Sequence, residues 1–146
     1  MRSPIKRAPL VADKRPPRDI LDTSVVIDLE KIEAGVLPVE VAVTALTMAE
    51  LAAGPHATTD ANEPARRQDR LQRTEAAFDP LPFDFEAARA YGRVYAAAVS
   101  AGRKARGARA VDLMIAAIAC ATSLPLYTRN PSDFVALEDL LEIVSI

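Results

Sequence analysis

Four carboxylates in this chain stand where short apolar runs give way to helical segments. Asp22 follows Ile20–Leu21, Glu50 lies one turn beyond the β-branched run 39–45, Asp112 opens the apolar helical run 111–123, and Asp133 closes Asn130-Pro131-Ser132-Asp133. Clustered oxygen ligands suit a hard divalent cation, which binds one or two carboxylates, waters and substrate phosphate oxygens. Such an ion activates water and offsets charge during phosphodiester displacement. The competing route to phosphodiester cleavage needs a pair of histidines as acid and base. The chain has one histidine, His56, in a Gly-Pro-His segment that reads as a surface loop. That leaves the metal-dependent route.

Each acid also has an explanation that needs no catalysis. Thr47-x-x-Glu50 is a capping-box spacing. Asn130-Pro131 reads as an N-cap with proline at the first helical position, which puts Asp133 in the first turn. Asp112 fits as a helix-start acid. Asp22 is harder to dismiss in this way, because Ser24 is the better cap for the helix that follows. Asp112 has a further peculiarity. Ile115, Ala116 and Ala119 lie three, four and seven residues on, so the carboxylate shares the inward apolar face of its helix and needs a partner there. The conjunction of four acids at element ends carries the argument.

The elements that must position these acids alternate strand-like and helical patterns. Ile20–Leu21 reads as a strand, 25–31 as a short helix, 39–45 as a strand, and 47–53 as a helix stopped by Gly54-Pro55. An amphipathic helix spans 63–78, 81–83 forms a third strand, and an Ala-rich helix over 84–101 is closed by Gly102. The helix 111–123 and strands at 126–128 and 141–146 complete the order. It predicts an α/β/α sandwich around a mostly parallel central sheet of about five short strands. In such sheets ligands sit beyond the carboxyl ends of the strands, where these acids fall.

A chain of 146 residues that is 50% hydrophobic suits one compact domain with a sizeable core. Its apolar runs are shorter than the ~18–20 residues of a membrane span. Residues 1–18 are proline-rich with six basic groups and one acid, and read as a flexible basic leader before a domain at 19–146. The segment lacks the apolar core of a secretory signal. The lone Cys120 permits no intrachain disulfide, and a cytoplasmic location is the simplest setting. The total charge of −2 divides into +5 for the leader and −7 for the remainder. A body this acidic would not hold nucleic acid by charge alone, so something else must neutralise the pocket if that is the substrate, and a bound divalent metal could do so.

Arg103, Lys104, Arg106 and Arg109 precede Asp112 and are candidates to hold phosphates near the acids. Arg66, Arg67, Arg70 and Arg73 form a stripe that reads as the solvated face of an exposed helix. Tyr91 and Tyr95, four apart, read as packing or dimer contacts rather than stacking platforms.

The segments LDTSVVID (21–28), TALTMAEL (44–51), RAVDLMIAA (109–117) and YTRNPSDF (127–134) resemble, in order, the four motifs of PIN-domain ribonucleases of the VapC toxin type. The resemblance runs from Asp19 to the C-terminus. It implies a Mg²⁺-dependent endoribonuclease, with Mn²⁺ as a possible substitute, leaving 5′-phosphate and 3′-hydroxyl ends. It also implies a homodimer held in check by a cognate VapB-type antitoxin. By matching motif, Asp22, Glu50 and Asp112 are the core catalytic acids, with Asp22 and Asp112 as direct metal ligands. Asp133 or Asn130 takes the fourth position, and Thr23 and Ser24 match the hydroxyls that follow the first acid. The leader departs from a pattern in which the first motif starts near residue 1, and is either a genuine extension or a misassigned start.

Other classes fit less well. A phosphatase of the haloacid-dehalogenase type wants a second aspartate where Ser24 stands. A dinucleotide-binding fold wants glycines after the first strand, and Asp22-Thr23-Ser24 has none. A structure-specific DNA nuclease on the same fold and a degenerate, protein-binding PIN module are the remaining alternatives.

Overall fold

A computed structural model describes residues 18–146. The proposed leader lies outside the described residues except for Arg18, which opens the first strand. The strands are β1 (Arg18–Leu21), β2 (Glu40–Ala42), β3 (Leu126–Thr128) and β4 (Ile143–Ser145). The helices are α1 (Thr23–Ile27), α2 (Ala45–Ala53), α3 (Glu63–Ala77), α4 (Phe85–Ser100) and α5 (Ala108–Thr122), with short 3₁₀ turns between them and a longer one at Pro131–Leu137.

The four strands form one sheet in the order β2-β1-β3-β4, and every pairing is parallel. Parallel neighbours need crossover helices, which cover both faces and bury the strands. One face carries Ile20, Ala42 and Leu126 against α4, α5 and the buried Phe134 and Leu137. The other carries Leu21 and Val43 against Val25 and Val26 of α1, Leu51 of α2 and Leu71 of α3. This is the α/β/α sandwich that the alternating pattern implies.

The sheet has four strands rather than about five. Leu81 makes a single parallel bridge beside Thr44, donating its N–H to the Val43 carbonyl at 2.9 Å and accepting from Ala45 at 2.8 Å. Pro80 and Pro82 flank it, neither has an N–H to donate, and the ladder stops after one rung.

Helix boundaries place the acids. α2 starts at Ala45 because the Thr44 hydroxyl accepts from the Thr47 N–H at 3.1 Å. Thr44 is therefore the cap, and the capping-box explanation of Glu50 fails. Asp84 caps α4 in the same way through Ala87 at 3.0 Å, and Gly102 just past its end has φ of +74°. α5 starts at Ala108 after Gly107 (φ +64°), so Asp112 lies in its second turn rather than at its head. No helix among the described residues is long and apolar enough to cross a membrane.

Candidate active site

Because all four strands point the same way, their carboxyl ends share one edge. Asp22 immediately follows β1 there, and its backbone N–H donates to the Tyr127 carbonyl at 2.8 Å, which ties it to β3. The side chain is 4% exposed. Its Oδ2 accepts from the Ser24 hydroxyl at 2.9 Å and from the Thr128 hydroxyl at 3.0 Å. Its Oδ1 is buried and meets no hydrogen-bond donor. Burial pushes the pKa of Asp22 up, opposed by the hydroxyls of Ser24 and Thr128 and, to a smaller extent, by the nearby backbone N–H groups of Thr23 and Ser24. A bare, buried carboxylate oxygen is costly unless something with positive charge meets it.

Glu50, one and a half turns into α2, is reached by the Thr23 hydroxyl, which donates to Oε1 at 2.5 Å. Thr23 also meets the buried Thr47 hydroxyl at 2.8 Å. Asp112 points inward as its helical face requires, with Ile115, Ala116 and Ala119 of that face fully buried. Its side chain remains 25% exposed. Its pKa is raised from 3.8 to about 6, first by desolvation and then by the charges of Asp22, Asp133 and Glu50, with Arg109 pulling the other way. Asp112 therefore feels the charges of three acids from three other segments.

Asp133 joins them through Arg109, whose Nη2 meets Asp133 Oδ1 at 2.9 Å while Nη1 donates to Asp112 Oδ2 at 3.3 Å. Asn130 is exposed, and contributes its backbone: its N–H donates to the Thr128 hydroxyl and its carbonyl accepts from the Asp133 N–H, both at 3.0 Å. Two carboxylate oxygens, Asp22 Oδ2 and Glu50 Oε1, are thus fixed by three short hydroxyl side chains, Ser24, Thr128 and Thr23, and one edge of the sheet collects nearly all the chemistry.

Residues 20–139 match the family model described as PIN domain. The chain belongs to the PIN-domain family. It is 36% identical over 126 residues to ribonuclease VapC5 of Mycobacterium tuberculosis, spanning 84% of this chain and 90% of that protein. The crystal structure of VapBC-5 from the same organism, a member of the VapBC family of toxin–antitoxin systems, superposes with a TM-score of 0.77. That match has 34% identity and covers 90% of this chain and all of the other. FitAcB from Neisseria gonorrhoeae superposes with a TM-score of 0.64 at 25% identity, over 86% of this chain and 96% of that one.

In this PIN domain no three Asp, Glu, His or Cys side chains among the described residues converge into a ready-made metal cage. Mg²⁺ keeps several waters and takes few protein ligands. The bare Asp22 Oδ1 and the mutually repelling acids fit such an ion, and the donor set is all oxygen.

The basic loop divides. Arg109, grouped by sequence with the phosphate-binding candidates, is drawn into the acids as their counter-ion. Arg103 donates to the Ser132 carbonyl at 2.7 Å, while Lys104 and Arg106 stay exposed. On α3, Arg66 and Arg67 pair with Glu63, and Arg73 pairs with Glu30 and Asp69, in keeping with a solvated helix face. His56 sits exposed in the turn after α2, as expected. The residues that sequence reasoning missed are Thr44, Thr47 and above all Thr128, fully buried at the end of β3 with its hydroxyl on Asp22.

Proposed function

We propose that this PIN domain is a metal-dependent endoribonuclease, the toxin of a toxin–antitoxin pair. The observation that carries the reading is the Asp22 carboxylate, buried and held by Ser24 and Thr128 through one oxygen while the other stays bare. Asp22 and Asp112 would hold Mg²⁺, or Mn²⁺ in its place, and Glu50 and Asp133 would orient water beside it. A bound ion would supply Lewis acidity and charge neutralisation at the scissile phosphate.

The chain's own residues then have distinct duties. Ser24 and Thr128 fix the rotamer of Asp22. Thr23 points Glu50, and Thr47 fixes Thr23. Arg109 keeps Asp112 and Asp133 together, and its guanidinium would offset negative charge on a phosphate brought to these acids. Asp133 rather than Asn130 is the fourth acid in this scheme, because its charge acts on Asp112 whereas Asn130 contributes backbone groups. Arg103, Lys104 and Arg106 would take the flanking phosphates. Products would carry 5′-phosphate and 3′-hydroxyl ends.

A nuclease active in the cytoplasm, where we place this chain, requires an inhibitor, and the relatives named with VapBC point to a VapB-type antitoxin. An acidic pocket attracts a guanidinium, which pairs bidentately with carboxylates. An antitoxin arginine among Asp22, Glu50 and Asp112 would exclude both metal and phosphate, with apolar grip along α2 and α3. A cleft of about 340 Å³ between α1 and α3 joins apolar residues such as Val26, Ile27 and Phe78 to a charged side of Glu30, Asp69, Arg66, Arg70 and Arg73, and would offer both apolar and ionic grip. A homodimer belongs to the same proposal, with exposed Val39 and Phe85 as apolar surface for it.

The test is incubation of the purified chain with total RNA and with DNA, with Mg²⁺ or excess EDTA, and mapping of new 5′ ends. Metal-dependent cuts in RNA are expected. Cutting of DNA alone, or cutting undiminished in EDTA, would overturn the proposal.

A further inference from the structure

The corner between α4 and α5 holds a second recess that the acid cluster does not use. It is an open cleft of about 520 Å³ lined by Tyr95, Val99, Arg103, Lys104, Ala105 and Arg106, within the ~300–1,000 Å³ of small-ligand sites. Its floor is apolar and its rim carries three cations with no acid among the lining residues. Tyr95 is 45% exposed and Val99 50%, one turn apart on the open face of a helix that buries only Ala87, Ala90, Val94 and Ala98.

The tyrosine is held ready. Tyr91 stacks edge-on against Phe83 at 6.4 Å, and Tyr95 leans on Tyr91 at 6.0 Å with an interplanar angle of 46°. The sequence reads both tyrosines as packing or dimer contacts; Tyr91 serves packing, and Tyr95 departs from that reading. Tyr95 is the outer member of that aromatic row, backed on one side and open on the other. A ring fixed in this way loses little freedom when another flat group covers it.

The cleft is tied to the acids. Arg103 lines it and also donates to the carbonyl of Ser132, the neighbour of Asp133. The loop that forms its rim leads through Gly107 into α5, which carries Arg109 and Asp112.

We infer that this cleft is a nucleotide subsite: an unpaired base of the RNA stacks on Tyr95 while Lys104 and Arg106 hold its phosphates, beside the cleavage site. The inference rests on the ribonuclease proposal and adds where the strand is held. Charge decides between RNA and a second copy of the chain. A twofold interface centred on the cleft would set the same three cations close to their own images, and like charges juxtaposed repel. A polyanion with exposed base faces matches both the rim and the floor. Aromatic stacking tolerates any base, so the subsite would give grip and register more than sequence choice.

The experiment is fluorescence anisotropy with the full-length chain in EDTA, where the metal-dependent reaction is silent, using a short single-stranded oligoribonucleotide and the same strand with an abasic position. Tyr95→Ala should weaken binding of the intact strand about tenfold, the effect of one base–aromatic stack. Tyr95→Phe should bind as the wild type does, and the abasic strand should narrow the gap between wild type and Tyr95→Ala. Lys104→Gln with Arg106→Gln should reduce the slope of log K against log salt by about 1.4, two single-strand phosphate contacts. Light scattering on the same samples reports assembly. Unchanged affinity and salt slope in folded variants that still cut RNA would overturn the subsite alone. So would a Tyr95→Ala variant that turns a dimer into a monomer, which would make the face an interface between copies. A wild-type chain that binds and cuts no RNA would overturn the subsite together with the function it rests on.

Discussion

Replacing Asp112 by asparagine should abolish RNA cleavage and at the same time stabilise the metal-free protein. The folded chain holds the Asp112 proton until about pH 6, whereas the unfolded chain releases it near 3.8. Between those values the native state binds more protons, so stability falls as pH rises, and above about 6 the whole penalty is present. A shift of about two units corresponds to roughly 3 kcal/mol. The side chain is three-quarters covered, so solvent screens little of this. The figure already contains the opposing attraction of Arg109, which is among the causes of the shift. Asparagine keeps the shape and the acceptor for Arg109 but carries no charge. In EDTA, urea unfolding followed by far-ultraviolet circular dichroism (the chain has no tryptophan) should give nearly equal stabilities at pH 4. At pH 7.5 the variant should be more stable by about 2–3 kcal/mol. Added Mg²⁺ should stabilise the wild type and leave the variant nearly unmoved. A variant less stable than wild type at pH 7.5 would refute the reasoning and make Asp112 a structural partner of Arg109.

Three other outcomes are expected. His56→Ala should cut RNA within about twofold of wild type, as an exposed substitution does, while EDTA removes activity from both; loss of activity in the folded His56→Ala protein would end the metal-only mechanism. Thr128→Val keeps the volume and removes the hydroxyl that donates to Asp22 and accepts from Asn130, so chemical denaturation should show a loss of about 1–3 kcal/mol and isothermal titration a weaker Mg²⁺ affinity. Arg109→Gln takes away the attraction that lowers the pKa of Asp112, so the acid limb of the kcat/KM profile should move to higher pH; an unmoved limb would mean that the guanidinium does not act on Asp112 during turnover.

Much of the site was legible because its acids sit in local patterns: a strand that ends in Asp-Thr-Ser, an inward carboxylate three and four residues before Ile115 and Ala116. Errors arose where a short-range pattern had two solutions. Thr44 and Thr47 both cap well by type, and Leu81 bonding beside Thr44 selected the first. Placing the start of α5 at Val111 hid the i,i+3 relation of Arg109 to Asp112, which becomes plain once Gly107 with positive φ begins the helix at Ala108. Thr128 was invisible for another reason. A threonine in a strand is an ordinary β-former, and only the pairing of β1 with β3, a tertiary fact, sets its hydroxyl on Asp22. The two prolines around Leu81 were a readable sign that no fifth strand could extend there.

The hydroxyl of Thr128 reaches Asp22 across 106 residues of chain. Synthesis proceeds at ~5–20 residues per second, so several seconds separate the making of the first acid from the arrival of the strand that orients it. During that interval β1 can pair with β2, but β3, Arg109, Asp112 and Asp133 are absent or only just emerging, and Asp22 has the hydroxyl of Ser24 without that of Thr128. An unfinished chain is a partial sheet without a cutting edge. Activity is therefore expected only when the molecule is nearly whole, which delays the hazard of a ribonuclease until a partner can be waiting for it.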